Sequence, residues 1–266
     1  MHPMLNIAVR AARAAGNQIL RYVDRLDTLN VSTKQRNEFF SEVDQLAEQE
    51  IIKVLRKFYP DHAILAEESG AQGSNDDYTW IIDPLDGTTN FLHGFPQFAV
   101  SIGLQHRGQI EQGVIYDPLR NELFTATRGS GVHMNDRRLR ISRKEGLEGA
   151  LLGTGFPFRD IHHLEAYLAM FRDLFPLTAG IRRAGAAALD LAYVAAGRLD
   201  GFWEIGLKPW DMAAGVLMIQ EAGGSVSDFS GGKAYLETGN VVCGAPKVHA
   251  QLLSTIQPHL LDDLKR

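Results

Sequence analysis

Trp80-Ile81-Ile82-Asp83-Pro84-Leu85-Asp86-Gly87-Thr88-Thr89-Asn90-Phe91 is the stretch around which the rest of the chain reads. Its first residues make an apolar strand that delivers Asp83 at its end. Pro84 has no N–H to give, so ladder pairing stops there. Asp86 follows on a tight turn, and Gly87 lets the backbone come close to a ligand. Two carboxylates a turn apart, with no Lys or Arg between them, repel each other and call for a neutralising charge. A hard divalent cation suits them, and Mg²⁺ takes oxygen ligands at about 2.0–2.1 Å. Thr88 and Thr89 can open a helical turn whose free N–H groups suit a phosphate oxygen. The plain alternative is an Asp-Gly turn with a capping aspartate.

Outward from this stretch, residues 62–134 break into short β-like runs at 63–66, 79–83, 99–105, 113–116, 122–127 and 132–134. Turns rich in Gly, Pro and Asn separate them, which predicts a mostly antiparallel sheet. Upstream, apolar residues at helical spacing predict helices over 4–23 and 41–58. Ser41 is the expected N-cap of the second, and Val43, Leu46, Ala47, Ile51, Val54, Leu55 and Phe58 form its apolar face. The polar, aperiodic residues 26–40 read as a loop. Downstream the pattern alternates: helices over 163–175, 186–197, 211–222 and 246–258, strands over 200–205, 225–228 and 241–243. There is no internal repeat and no clean linker. The expected organisation is one domain over 1–266, with an N-terminal α+β lobe to about 145 and a C-terminal α/β lobe from about 146. A layered α+β architecture covered by helices fits these elements.

Several further acids stand where chemistry is possible. Glu67-Glu68 follow the strand 63–66; they are either solvated charges or, beside Asp83 and Asp86, a ligand, and strand alternation does not decide which. Asp211, in Lys208-Pro209-Trp210-Asp211-Met212-Ala213-Ala214-Gly215, reads as the N-cap of a helix that Gly223-Gly224 ends. A carboxylate there can also hold an ion. Asp44, inside the helix 41–58, reads most simply as a solvent-face charge. Glu204 lies in the apolar strand Gly201-Phe202-Trp203-Glu204-Ile205 and needs a partner or a ligand, a hydroxyl being one candidate.

Composition narrows the classes. The net charge of -5 argues against wholesale nucleic-acid binding through a basic surface. Against that background, Arg137-Arg138-Leu139-Arg140-Ile141-Ser142-Arg143-Lys144 reads as a charged strand edge or as a patch for RNA or a partner protein. The single cysteine, Cys243, sits in an apolar run and reads as a core residue. No phosphate-binding GxxxxGK[ST] loop and no zinc-like His or Cys spacing occurs. His162-His163 are expected at a surface helix start. No run approaches the roughly 20 apolar residues of a membrane helix, and the first residues lack a signal-peptide pattern, so a cytoplasmic location is expected.

Asp83 to Phe91 matches the first signature of the inositol monophosphatase family. Trp210 to Gly215, continued by Glu221-Ala222-Gly223-Gly224, matches the second. The chain resembles that family from Met1 to about Arg266. Met1-His2-Pro3-Met4-Leu5-Asn6-Ile7-Ala8-Val9-Arg10 and Arg182 to Tyr193 resemble the bacterial housekeeping branch, which also serves in ribosomal RNA transcription antitermination. The resemblance implies an α-β-α-β-α sandwich and hydrolysis of inositol monophosphate or related polyol phosphates with two to three Mg²⁺ ions. It implies ligands Glu67, Asp83, the Leu85 carbonyl, Asp86 and Asp211, and phosphate contacts from Asp86, Gly87 and Thr88. It places Arg182, Gly185, Ala186, Ala187, Glu204 and Asp211 at the polyol, and Lys34 as a loop lysine. Glu67, or Thr88 polarised by Asp44, would orient the attacking water. Lithium inhibition, a homodimer and an elongation-factor or RNA polymerase partner are further implications. Fructose bisphosphatase and nucleotide 3′-phosphatase are the rival activities on the same core. A mainly regulatory protein is the rival outside enzymes.

Overall fold

Three apolar interfaces stack the chain into five layers: helices, sheet, helices, sheet, helices. The structure, a computed structural model, describes residues 2–265 apart from 30, 36, 37, 74–76, 159 and 160; for 28, 31–35 and 38–40 it describes the backbone alone. The first layer pairs α1 (Pro3–Leu20) with α2 after an intervening hairpin, β1 (Val31–Gln35) and β2 (Glu38–Ser41). Here the loop expected over 26–40 is corrected, for it also holds a 3₁₀ turn at Leu26–Thr28. Among the described residues the two strands pair with each other and with neither larger sheet, so their sequence carries no sheet-imposed alternation by which a strand is recognised. α2 (Glu42–Phe58) starts at the expected cap, the Val43 N–H donating to Ser41 Oγ at 3.2 Å.

The second layer is an eight-stranded sheet of β3 (Ala63–Ala66), β4 (Gly70–Gln72), β5 (Tyr78–Asp86), β6 (Ala99–His106), β7 (Gln109–Asp117), β8 (Glu122–Thr127), β9 (Gly131–Met134) and β10 (Arg137–Arg138). A short helix, α3 (Thr88–Leu92), leaves the end of β5. The strand order is β10-β9-β8-β7-β6-β5-β3-β4. Among the described residues β3 and β5 run parallel and the other neighbours antiparallel, so the sheet is mostly antiparallel, as read. Along β5, Trp80 and Ile82 pack under α1 and α2 while Ile81 faces the opposite core, the period of two a pleated strand requires. Arg137 and Arg138 form the expected charged sheet edge.

The second half supplies β11 (Leu151–Thr154), α4 (Leu164–Leu174), β12 (Gly180–Arg182), α5 (Ala187–Ala195), β13 (Gly201–Glu204), α6 (Pro209–Ala222), β14 (Ser225–Ser227), α7 (Tyr235–Thr238), β15 (Val241–Gly244) and α8 (Pro246–Ile256). Its sheet has the order β12-β11-β13-β15-β14, with β11 parallel to both neighbours. β11 and β12 carry no sequence signal, being short and containing glycine. α5 and α6 form the middle layer, buried on nearly every side between the two sheets. α4 and α8 cover the outer face of the second sheet. Cys243 points into the central core, where burial pushes its thiol pKa up and keeps it unreactive.

Where α5 crosses α6, a methyl group on Gly215 would lie 2.5 Å from Leu191 Cβ. Gly215→Ala is therefore expected to destabilise the fold by about 1–3 kcal/mol through overpacking. The urea midpoint of unfolding checks this, and an unmoved midpoint would show that this contact does not set the helix spacing.

Candidate active site

The floor of the site is built where β5 loses its regular register; the strand does not end at Asp83 as expected but runs past Pro84 to Asp86. Asp83 pairs with Ser101 and Asp86 with Ala99, so three steps on β5 oppose two on β6. The extra residue is a bulge beside Pro84. It turns both aspartates towards the second half of the molecule. Asp83 is 1 % exposed and accepts the Leu85 N–H at 3.0 Å. Asp86 accepts the Ala188 N–H, in the first turn of α5, at 2.7 Å. Asp211 arrives from α6. It is not the expected N-cap: the helix starts at Pro209, and Asp211 accepts the backbone N–H of Lys208 at 2.7 Å from the third helical position. Proline at a first helical position takes the slot whose N–H has no partner, which moves the start two residues back. Ligand oxygens of Asp83, Asp86 and Asp211 all lie within 4.8 Å of one another.

These three carboxylates line a cavity of about 680 Å³ together with Glu67, Leu85, Gly87, Thr88, Gly185, Ala186, Ala187 and Glu204. Of the acid pair after β3, it is therefore Glu67 that faces the site. Asp44 is not a solvent-face charge: it is 1 % exposed and lies beneath the cavity. It accepts the Ser41 N–H at 2.8 Å, the Ser41 hydroxyl at 2.7 Å and the Thr88 hydroxyl at 2.8 Å. The Thr88 hydroxyl also stands 3.0 Å from the Leu85 carbonyl, but it has one hydrogen to give. The closer, charged Asp44 takes it and leaves the Leu85 oxygen free for a ligand.

Electrostatically the floor is unbalanced. Burial, then the neighbouring Glu67, Asp86 and Asp211, raise Asp83 well above the usual carboxylate range. Burial and Asp211 do the same to Asp86. Burial raises Asp44 as well, against the hydrogen bonds from Ser41 and Thr88. Asp83, Asp86 and Asp211 offer oxygen donors that repel one another, so a hard divalent cation fits this set better than zinc. Next to Asp86, Gly87 has φ 91°, and a Cβ there would lie 2.8 Å from the Gln97 carbonyl. Gly87, Thr88 and Thr89, at the start of α3, line the same cavity.

Two expected contacts fall elsewhere. Arg182 is exposed and off the cavity wall; its neighbour Arg183 lines the cavity instead, its guanidinium over the rings of Phe156 and Phe158 at 5.2 and 5.8 Å. One residue's shift at the end of β12 exchanges the two, because strand side chains alternate sides. Lys34 belongs to β1 by its backbone, and its side chain lies outside the described residues. Other contributors gave no readable signal. Asn90 donates to the Gln97 and Ala184 carbonyls at 2.8 and 2.9 Å, tying the Gly185 segment to α3. A Cβ on Gly155 would sit 1.9 Å from the Glu204 carboxyl, so only glycine leaves that acid its place. Asp190, 2 % exposed, lines the cavity beside Glu204. His163 is not merely a surface residue: it lines the cavity and meets Asp263 at 2.9 Å, which brings the C-terminal segment to the wall.

A layered sandwich with this acidic floor and both signatures in place defines a class. The model of the inositol monophosphatase family matches residues 1–261, and the chain belongs to that family. It is similar to the Nus factor SuhB of Pseudomonas aeruginosa, with 59% identity over 271 residues and 100% of both chains covered. Among solved structures it is similar to the extragenic suppressor protein suhB of Bartonella henselae, with TM-score 0.94, 45% identity, and 97% of this chain and 100% of that one covered. It is likewise similar to an inositol monophosphatase from Anabaena, with TM-score 0.85, 40% identity, and 96% and 95% covered. The family resemblance and the five-layered fold read from the sequence are thus borne out.

Burial, then the charges of Glu204 and Asp86, raise Asp190 well above its ordinary value, against the pull of Arg183. A raised acid stabilises the fold below its unfolded pKa, and that contribution is lost as pH climbs through the folded value. Asp190→Asn removes the loss. In chelated protein it is expected to raise the melting temperature at about pH 8 and leave it nearly unchanged at about pH 4. Equal shifts at both pH values would contradict the assignment.

Proposed function

We propose that this chain is a Mg²⁺-dependent phosphomonoesterase that hydrolyses inositol monophosphate and related small polyol phosphates by direct attack of water. The observation that carries the reading is the convergence of Asp83, Asp86 and Asp211 on the floor of one cavity that the free N–H end of α3 also faces. Glu67, Asp83, the Leu85 carbonyl, Asp86 and Asp211 would hold two to three Mg²⁺ ions, which would supply charge neutralisation at the phosphoryl oxygens and acidification of water.

The chain's own groups do the rest. Gly87 and Thr88 offer N–H groups to the phosphate, where the start of a helix favours an anion. Thr88 Oγ1, with its hydrogen committed to Asp44, turns its lone pairs to the cavity and accepts a hydrogen bond from the attacking water. Glu67 is the alternative acceptor on the same wall. Glu204 and the Gly185-Ala186-Ala187 segment bind the polyol hydroxyls, and Arg183 takes the place expected of Arg182. The volume suits a small ester. Because the carboxylates have metal-ligand spacing and no nucleophile–base pair was read from the sequence, no covalent phosphoenzyme is needed. A homodimer is supported by the apolar Ile161, Leu164, Leu168, Phe175 and Leu177, all exposed around α4.

Phosphate release from inositol monophosphate, fructose bisphosphate and phosphoadenosine phosphate, each titrated with Mg²⁺, tests the reading. Inositol monophosphate is expected to turn over fastest, to stop on chelation and to slow in millimolar lithium. Thr88→Val is expected to lower kcat by about 10²-fold or more. Preference for either rival ester, or turnover that survives chelation, would overturn it.

A second role in ribosomal RNA transcription antitermination, with an elongation factor, RNA polymerase or RNA as partner, is favoured by two observations. Relatives at 50–59% identity bear the name Nus factor. The exposed Arg137, Arg138, Arg140 and Arg143 run along one sheet edge and its continuation. Asp83→Asn separates the roles: it should abolish phosphate release and leave ribosomal RNA synthesis intact if the basic edge carries the second role. Loss of both would tie that role to the metal site.

A further inference from the structure

α2 buries two acids one turn apart. Asp44 and Glu48 share the stripe that also holds Val43, Ala47, Ile51 and Leu55, the face turned into the core. An acid on the apolar face of a helix is costly unless directed donors meet it. Asp44 has its donors in Ser41 and Thr88. Glu48, 3 % exposed, has been given no role by the chemistry above.

Its partners lie in the loop that carries Glu67. β3 and β4 pair from Ala66 to Gly70, so only Glu67, Glu68 and Ser69 span the turn. Glu67 remains tied to the sheet, its N–H donating to the Ile82 carbonyl at 3.1 Å. The next two N–H groups leave the ladder and converge on Glu48: Glu68 N–H donates to Oε2 at 2.9 Å and Ser69 N–H to Oε1 at 3.0 Å. Both carboxylate oxygens are thus engaged, each by a successive amide of the same turn. A single side chain fixes the turn's position and its rotation relative to α2. Gly70 (φ 72°) closes the loop in a conformation costly for other residues.

We propose that Glu48 is the positioning residue for Glu67: its carboxylate holds the 67–69 turn so that Glu67 is presented to the cation site. α2 then sets both ends of the reacting geometry from one rigid rod, the Thr88 hydroxyl through Asp44 and the Glu67 carboxylate through Glu48. This rests on the metal-site reading above and adds to it a residue that touches neither cation nor substrate. Hydrogen bonds one step behind a ligand orient it, and losing them typically lowers metal affinity about 10- to 100-fold.

Calorimetric titration of the full-length, chelator-stripped protein with Mg²⁺ tests it. Glu48→Gln keeps the size but turns an N–H₂ towards one of the two amides. It is expected to bind Mg²⁺ about 10-fold more weakly, with kcat restored to within about twofold when Mg²⁺ is raised to saturation. Glu50→Gln, at a partly exposed acid of the same helix that pairs with Lys53, should titrate like the wild type. A merely structural Glu48 would lower the melting temperature and leave Mg²⁺ affinity unmoved, and that result overturns the proposal. Glu48→Ala is the stronger variant, and Glu48→Gln decides the matter if it does not fold. If Asp83→Asn abolishes Mg²⁺ uptake and Glu48→Gln titrates normally, only the role of Glu48 falls. If the wild type takes up no Mg²⁺, the metal-site reading falls and this inference with it.

Discussion

Mutual repulsion among buried carboxylates is the constraint on which the rest of this molecule depends. Asp83, Asp86 and Asp211 are brought together with Glu67 close by, under conditions that push at least two of them towards the protonated form. A chain gains nothing in folding stability by such an arrangement, since each added acid raises the cost of ionising the next. The fold tolerates it because backbone amides share the charge: Leu85 supports Asp83, Ala188 supports Asp86, and Lys208 supports Asp211. What remains is a strong affinity for positive charge, focused on the floor of one cavity.

The architecture supplies that arrangement from rigid parts. A bulge at Pro84, within the last residues of β5, brings Asp83 and Asp86 to one side. The packed pair α5 and α6 carries the amides and the third acid from the other side. α2, anchored against the first sheet, reaches the site from below through Asp44 and Glu48. Each contributor is embedded in an apolar interface, so the spacing of the oxygens is fixed before any ligand arrives. Preorganisation of this kind is what allows charge to be stabilised without moving the protein.

Much of this was legible in the sequence, and the exceptions have physical causes. The apolar run into Asp83-Pro84-Leu85-Asp86-Gly87 made a strand and a candidate ligand pair legible, because strand periodicity is a local property; the strand's end was placed three residues early, since a bulge carries the pairing past Pro84 to Asp86. Long helices with a clear apolar stripe were readable for the same reason. Asp44 was misread because a lone acid in an amphipathic helix usually faces water; its partner, Thr88, is 44 residues away. Glu48, Asn90, Asp190 and Gly155 were silent because their meaning lies in distant backbone atoms or side chains that only the folded chain brings near. The choice between Arg182 and Arg183 turned on one residue of register in a strand too short to show alternation. The hairpin strands were invisible because residues 31–41 are mostly polar without a regular alternation, and among the described residues neither strand joins the two larger sheets.

Crystals equilibrated with Mn²⁺ and measured at its absorption edge would address the cluster of acids directly, since the anomalous signal marks the cation itself. The site described here requires a peak between the carboxylates of Asp83, Asp86 and Asp211, reached also by Glu67 and the Leu85 carbonyl, and its disappearance in Asp83→Asn. A fully occupied crystal with no anomalous peak in that cavity, or with its only peak elsewhere on the surface, would contradict the account.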